Sequence, residues 1–289
     1  MAQVQTPGTH DSGQAPREAR LRGHETRQPF DLSARLQEKV DTLDLGAAVE
    51  QVKDEGYSYV RDAAPPEFTT RLRETLLGIT NGLPGASMLL GKDPIFEEVV
   101  LNPKLLAMAE VMCGKGFMLS QLACSVRGKG APAMDLHADQ NWTPAPFPVH
   151  NQLVTFCWAC DEHTLEGGAT RIIPGSQQHR RHPSSEEMAE AKGAITTECS
   201  AGSVPFWDGS VWHGNWARQL EGERVVLHIT YSRLALRPVE SYDHLGEDWL
   251  EGKPYEMRVL LGREDFLNTS QGGFAHADKM ARTMRWSKS

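Results

Sequence analysis

The chain is 289 residues long, 39% hydrophobic and 24% charged, with a formal net charge of -8. This composition sustains a packed core, and an acidic balance without clustered Lys and Arg excludes nucleic acid as an expected partner. No run reaches the ~18 apolar residues of a membrane span and no apolar signal segment opens the sequence, so a cytoplasmic protein with no membrane partner is expected.

Residues 1–30 are rich in Gln, Gly, Pro, Thr, Arg and His and almost free of large apolar side chains. They cannot bury enough surface to order themselves, and a disordered tail is expected ahead of a single domain over 31–289. Five helical and strand-like stretches follow. "FDLSARLQEKV" offers Asp31 or Ser33 as a helix cap. "DLGAAVEQVKDEG" reads as an amphipathic helix stopped at Gly56, and "YSYVRD" as a short alternating strand. "PPEFTTRLRETLLGIT" places Pro66 in a first helical turn, and "NPKLLAMAEVMCG" closes on Gly114.

After Phe117 short apolar or alternating runs appear between Gly and Pro breaks: "FMLSQLACSVR", "MDLHADQNW", "NQLVTFCWACD", "ATRIIPGS", "GSVPFWDGSVWH" and "VVLHITYSRLAL". Such texture predicts an antiparallel sandwich or barrel. Residues 178–198 interrupt it with a polar, partly helical excursion. Helices are expected near "GREDFLN" and "AHADKMARTMRW". Of the five cysteines, Cys157 and Cys160 form a C-x-x-C without a second pair. Buried free thiols in a reducing compartment are the expectation.

His137 and Asp139 stand two apart on a strand-like run, where side chains i and i+2 share a face. His213, at the end of a later strand-like run, is the candidate third ligand. Two imidazoles and a carboxylate, with positions left open, suit non-haem Fe(II) and O2 chemistry. If the co-substrate is 2-oxoglutarate, its far carboxylate calls for a bidentate cation, and Arg fits that geometry better than Lys. Arg224 lies eleven residues after His213 and opens the next strand. His228, on the same strand, reads as structural or substrate-facing.

Taken together, "DEGYSYVRDAAPPEF", "LHADQNW", "TLEGGATRIIPGSQ" and "VPFWDGSVWHGNWARQLEGER" make the segment from Glu55 to Leu236 resemble the phytanoyl-CoA dioxygenase family of Fe(II)- and 2-oxoglutarate-dependent oxygenases. His-x-Asp alone is common by chance; the four pieces in order, with His and Arg eleven apart, are not. The resemblance implies a mainly β fold with flanking α, a double-stranded β-helix (jelly roll) over about 117–237 with helices before it. It implies Fe(II) on His137, Asp139 and His213, 2-oxoglutarate held by Arg224, and co-substrate contacts from Trp158 and Asn215. Two positions depart from the family pattern. Gln177 replaces the histidine of a "PGSH", leaving open whether His179 takes its place. Met134 stands where several members carry a glutamine that reaches 2-oxoglutarate. Asp139 fills the position that related halogenases vacate for chloride, which favours hydroxylation, desaturation or cyclisation of a small, largely apolar metabolite.

Other readings stay open at this stage. The same triad around Zn2+ would serve a hydrolase or isomerase, although such a site has no use for Arg224. A non-catalytic binding protein on the same scaffold is the other alternative. His150 and His163 read as solvated loop residues, "HRRHP" (179–183) as a solvated basic loop or an anion contact, and Gly167 and Gly168 as a hairpin turn. The tryptophans around the motifs, Trp142, Trp158, Trp207, Trp212 and Trp216, divide between packing and pocket lining. Residues 85–95, 140–150, 178–195 and the C-terminal segment are where specificity would be set. A homodimer is the prior for assembly.

Overall fold

The computed structural model describes residues 28–140 and 142–286. The predicted tail lies outside the described residues except for its last three, of which Phe30 packs against the core. Helices come first. α1 (Ala34–Thr42) is capped by the Ser33 hydroxyl, which accepts from Leu36 N. α2 (Gly46–Glu55) ends on Gly56, whose φ of 80° is the left-handed conformation that glycine adopts without a Cβ penalty. Strand β1 (Tyr57–Val60) follows, then α3 (Pro66–Thr80) with proline in its first turn. β2 (Gly85–Ala86), α4 (Pro94–Val100) and α5 (Pro103–Cys113) complete the first third, α5 closing on Gly114.

The β core comprises β3 (Met118–Arg127), β4 (Met134–His137), β5 (Leu153–Ala159), β6 (Thr170–Ile172), β7 (Ile195–Thr196), β8 (Val204–Asp208), β9 (His213–Asn215) and β10 (Arg224–Ser232). A short helix α6 (Ser185–Glu190), with a reciprocal Ser184–Glu187 capping box, occupies the predicted excursion. Two antiparallel sheets result: a large one in the order β1-β8-β5-β10-β3-β2 and a small one in the order β4-β9-β6-β7. At the C-terminal end, α7 (Glu247–Leu250), α8 (Tyr255–Leu260) and α9 (Ala277–Trp286) follow. "GREDFLN" is not helical; the helix lies just before it and is stopped at Gly262, whose φ is 66°.

Period-two alternation explains how the large sheet serves two interiors. On β10, Val225, Leu227, Ile229 and Tyr231 join the main core against the helices, as do Val154, Phe156 and Trp158 of β5. The opposite faces carry Arg224, Val226, His228 and Thr230, with Thr155 and Cys157 beside them. Both faces are covered, so every residue of β5 is buried. A bulge in β3 leaves Ser120 without a partner on β10 and turns both Ser120 and Gln121 to the inner side. All five cysteines are free thiols. Among the described residues no helix is long and apolar enough to cross a membrane.

His163 corrects an expectation. It is not a solvated loop residue but only 1% exposed, bridged through its backbone to Cys199. Neither ring nitrogen has a hydrogen-bond partner among the described residues. Burial, then the nearby Arg224 and His228, push its pKa down to about 3. An unfolded chain takes up that proton near pH 6.5, the folded one only near 3, so stability is lost as pH falls through this window. Urea unfolding of H163L should therefore show a loss between pH 7 and pH 5 smaller than wild type's by about 2 kcal/mol; equal losses would exclude a neutral buried His163.

Candidate metal centre

β4 ends at His137 and β9 begins at His213, and the two residues face each other directly across the antiparallel pair. Gly214 makes this approach feasible: a Cβ there would collide with the backbone oxygens of Met134 and Asp135. Asp139 lies two residues beyond the end of β4, so strand alternation alone does not bring it to His137, as the sequence pattern suggested. Nor does His213 end a strand. "GSVPFWDGSVWH" divides into β8 and β9, which belong to different sheets. The turn between them carries the chain from one sheet to the other and delivers His213 beside the loop that holds Asp139.

The imidazole Nε2 atoms of His137 and His213 lie 3.7 and 3.4 Å from Asp139 Oδ1, and one ligand atom from each residue lies within 4.8 Å of the others. Each Nδ1 meets a backbone carbonyl, Asp135 O at 2.9 Å and Val211 O at 3.1 Å. A carbonyl only accepts, so both Nδ1 atoms carry a proton, and the Nε2 of each ring is the atom turned towards Asp139. Burial and the neighbouring His213 lower the pKa of His137. Burial also disfavours charge on His213 and Asp139. Their mutual attraction overrides it, raising the imidazole and holding the carboxyl far below the usual carboxylate range. Two neutral-capable nitrogens and one ionised oxygen, converging from one side without a fourth ligand among the described residues, fit a divalent ion with open positions.

The other carboxylate oxygen is fully engaged. Thr155 Oγ1 donates to Asp139 Oδ2 at 2.8 Å and Trp207 Nε1 at 3.0 Å. Thr155 was not singled out from the sequence, and Trp207 was read only as packing or pocket lining, because Thr and Trp in β runs read as ordinary strand formers. The one signal was Thr155 itself, the sole hydroxyl in the apolar run "LVTFCWA".

A cavity of about 360 Å3 opens over the triad. Towards one end lie Asn215, Thr170, Ser125, His228 and Arg127; towards the other, Ser120, Gln121, Trp142, Leu153 and Val239. Arg224 shares the inner face of β10 with His228 and Thr230 and is 1% exposed. Its guanidinium donates to Gly168 O and, with the Asn215 amide oriented to match, to the Asn215 oxygen at 3.3 Å; its Nε has no partner among the described residues. Burial lowers the pKa of Arg224 to about 10, still cationic at neutral pH. His228 is pushed down to about 4 by burial and by Arg224, and its Nε2 contacts Ser125 Oγ at 3.2 Å.

Trp158 is not in this site. Its position in "LVTFCWA" puts it on the outer face of β5, where its indole N–H donates to Thr69 Oγ1 at 3.1 Å and its ring packs on Phe68. Of the other tryptophans, Trp142 and Trp207 line the cavity. Trp212 donates to Arg181 O and stacks with His179, and Trp216 lies under the Arg171 guanidinium. The basic "HRRHP" stretch is used in packing, with Arg181 paired to Glu187 and Arg180 bonded to Phe147 O. Gln177 reaches Asp54 O, away from the triad, and His179 on Trp212 does not replace it there.

Comparison with known proteins gives the context for this geometry. Residues 47–219 match the model of the phytanoyl-CoA dioxygenase (PhyH) family. Dioxygenase af480 of Aspergillus fumigatus is 29% identical over 171 residues, covering 58% of this chain and 52% of that protein. Dioxygenase ALT11 of Alternaria alternata is 26% identical over 243 residues, 73% of this chain and 79% of its own length. The chain thus spans about half of the first relative and most of the second. Among solved structures, HygX from Streptomyces hygroscopicus with nickel and 2-oxoglutarate bound superposes with a TM-score of 0.56 at 15% identity, covering 75% of this chain and 93% of HygX. The match spans more than half of the sequence and contains all three residues of the triad: the chain belongs to the phytanoyl-CoA dioxygenase family.

Proposed function

We propose that the protein is a non-haem Fe(II)- and 2-oxoglutarate-dependent dioxygenase acting on a small, largely apolar metabolite, on a double-stranded β-helix core. The observation that carries this reading is the pairing of the His137–Asp139–His213 cluster with Arg224, a buried guanidinium on the inner face of the same core. A hydrolase would need the triad but not the arginine. The names of the relatives and the nickel and 2-oxoglutarate in HygX support the same chemistry.

His137, Asp139 and His213 would hold Fe(II), which supplies the means to activate O2 when 2-oxoglutarate is present. The chain's own residues do the positioning. Arg224 does not itself line the cavity, but its guanidinium pairs with Asn215, which does, beside Thr170; a far carboxylate of the co-substrate would be gripped there in two bonds. Asn215 steers that guanidinium. His228, uncharged at neutral pH, adds a hydrogen-bonding wall without adding a competing cation. Beyond the triad, Leu153, Val239 and Trp142 offer apolar contact, and Ser120 and Gln121 offer two polar points, which suits a neutral substrate with few polar groups. Closure of this space by substrate excludes water from the reacting atoms.

Oxygen uptake and succinate release, measured with Fe(II), 2-oxoglutarate and a metabolite screen, test the reading. H137A and D139A should lose both turnover and Fe(II) binding; retained substrate-dependent succinate release in H137A would end the assignment. R224M should keep Fe(II) binding but raise the KM for 2-oxoglutarate by about 10- to 100-fold, because a charge-assisted bond contributes roughly 1.5–3 kcal/mol. An unchanged KM would remove Arg224 from the co-substrate site.

A further inference from the structure

We propose that Thr155 and Trp207 are positioning residues that hold Asp139 as a one-oxygen metal ligand, and that the neighbouring Thr230 hydroxyl is thereby turned into an acceptor for a hydrogen-bond donor on the substrate. This deepens the metal-centre reading above and rests on it.

Thr230, Thr155 and Trp207 form one row across three adjacent strands. Thr230 lies opposite Thr155 in the β10–β5 pair, and Thr155 lies opposite Trp207 in the β5–β8 pair. All three line the cavity. An indole N–H can only donate, so the 3.0 Å bond from Trp207 marks Asp139 Oδ2 as an acceptor. As a metal ligand the carboxylate is ionised and has no proton to give. The Thr155 hydroxyl, 2.8 Å from the same oxygen, therefore commits its single proton to Oδ2.

The 3.2 Å contact between the Thr155 and Thr230 hydroxyls can then run in one direction only: Thr230 donates and Thr155 accepts. With its proton used, Thr230 turns lone pairs to the cavity. Gln121, directly across the β10–β3 pair, stands beside it with an amide that offers both donors and an acceptor. A substrate hydroxyl, amine or amide N–H near the reacting carbon would meet Thr230 as acceptor; a substrate carbonyl at that point would be opposed by lone pairs.

The two bonds to Oδ2 also limit the carboxylate. Bringing both oxygens to a metal would require the group to rotate about Cβ–Cγ, and that rotation breaks the bonds from Thr155 and Trp207. Oδ1 alone faces the two imidazoles, at 3.4 and 3.7 Å. The clamp thus preserves the open positions that distinguish this ligand set from a closed structural site.

Anaerobic Co(II) titration of the full chain, followed by d–d absorption, tests the proposal without turnover. T155V and W207F should each bind Co(II) about 10- to 100-fold more weakly than wild type, with an altered d–d spectrum. T155S, which keeps the hydroxyl, should restore both. T230V leaves the Thr155 proton on Oδ2 and should lose less affinity than T155V. Should T155V fail to fold, W207F and T155S still carry the comparison. Wild-type Co(II) affinity and spectrum in T155V or W207F would overturn the clamp while leaving the triad intact, and a loss in T230V equal to that in T155V would overturn the assigned direction. A wild-type chain that takes up no Co(II) would overturn the metal centre itself and the clamp with it.

Discussion

The carboxylate of Asp139 is where the two sheets are joined chemically. One oxygen faces imidazoles from the small sheet and its margins; the other is held by a hydroxyl and an indole of the large sheet. Asp139 is half-buried, and an ionised group drawn out of water needs donors on its lone pairs. Oδ2 has two, from residues that the backbone register places in a row. The demand runs back through the chain: Thr155 must point inward, which sends Val154, Phe156 and Trp158 outward against the helices. The helical layer is therefore not an accessory. It gives the outward half of β5 and β10 an apolar partner, and so fixes the phase of the inward half.

Charge is distributed along the interior in the same ordered way. Among the described residues that line the cavity over the triad, Asp139 is the one acidic group. Towards one end, Arg224 lies opposite Arg127 across the β10–β3 pair. Arg171, Arg218 and Arg224 donate to backbone carbonyls, of Met134, Gly167 and Gly168, rather than to carboxylates. Like charges opposite one another in a sheet are unfavourable unless something answers them. Burial lowers the basicity of Arg224 yet leaves it cationic at neutral pH, so the two guanidiniums concentrate positive charge at this end. At the opposite end the described lining residues, Leu153, Val239 and Gln121 among them, carry no formal charge.

What could be seen in the sequence follows from what side-chain type and spacing encode. Helix ends were legible because each signal acts locally: Ser33 through a hydroxyl that accepts from Leu36 N, and Gly56, Pro66 and Gly114 through their backbone conformations. The triad was legible because imidazoles and carboxylates are rare inside β runs, and this structure brings those three together. The placement of Trp158 was not. In a strand apolar on both faces, nothing in "LVTFCWA" states which phase looks inward, and the burial pattern confirms that both faces are covered. The clamp on Asp139 was missed for a related reason: Thr155 and Trp207 are good strand formers, so their types carry no sign of a second duty. His163 looked solvated because polarity was read locally, whereas its burial is set by Cys199, thirty-six positions away.

Met134, a departure from the family pattern, shows how a fold can tolerate a changed side chain beside a reactive centre. The backbone at this position carries the structural duty. Its carbonyl accepts from Arg171 Nη2 at 3.0 Å, and its register partner across the small sheet is Asn215. Both interactions are indifferent to the side chain. The methionine itself is 44% exposed at the rim of the cavity. A glutamine there would add a donor at the cavity rim, but the arrangement of β4 against β9, and so of His137 against His213, does not depend on one. Binding contacts at this edge can therefore vary without disturbing the metal ligands, because the strand pair is held by main-chain groups and by the close approach at Gly214.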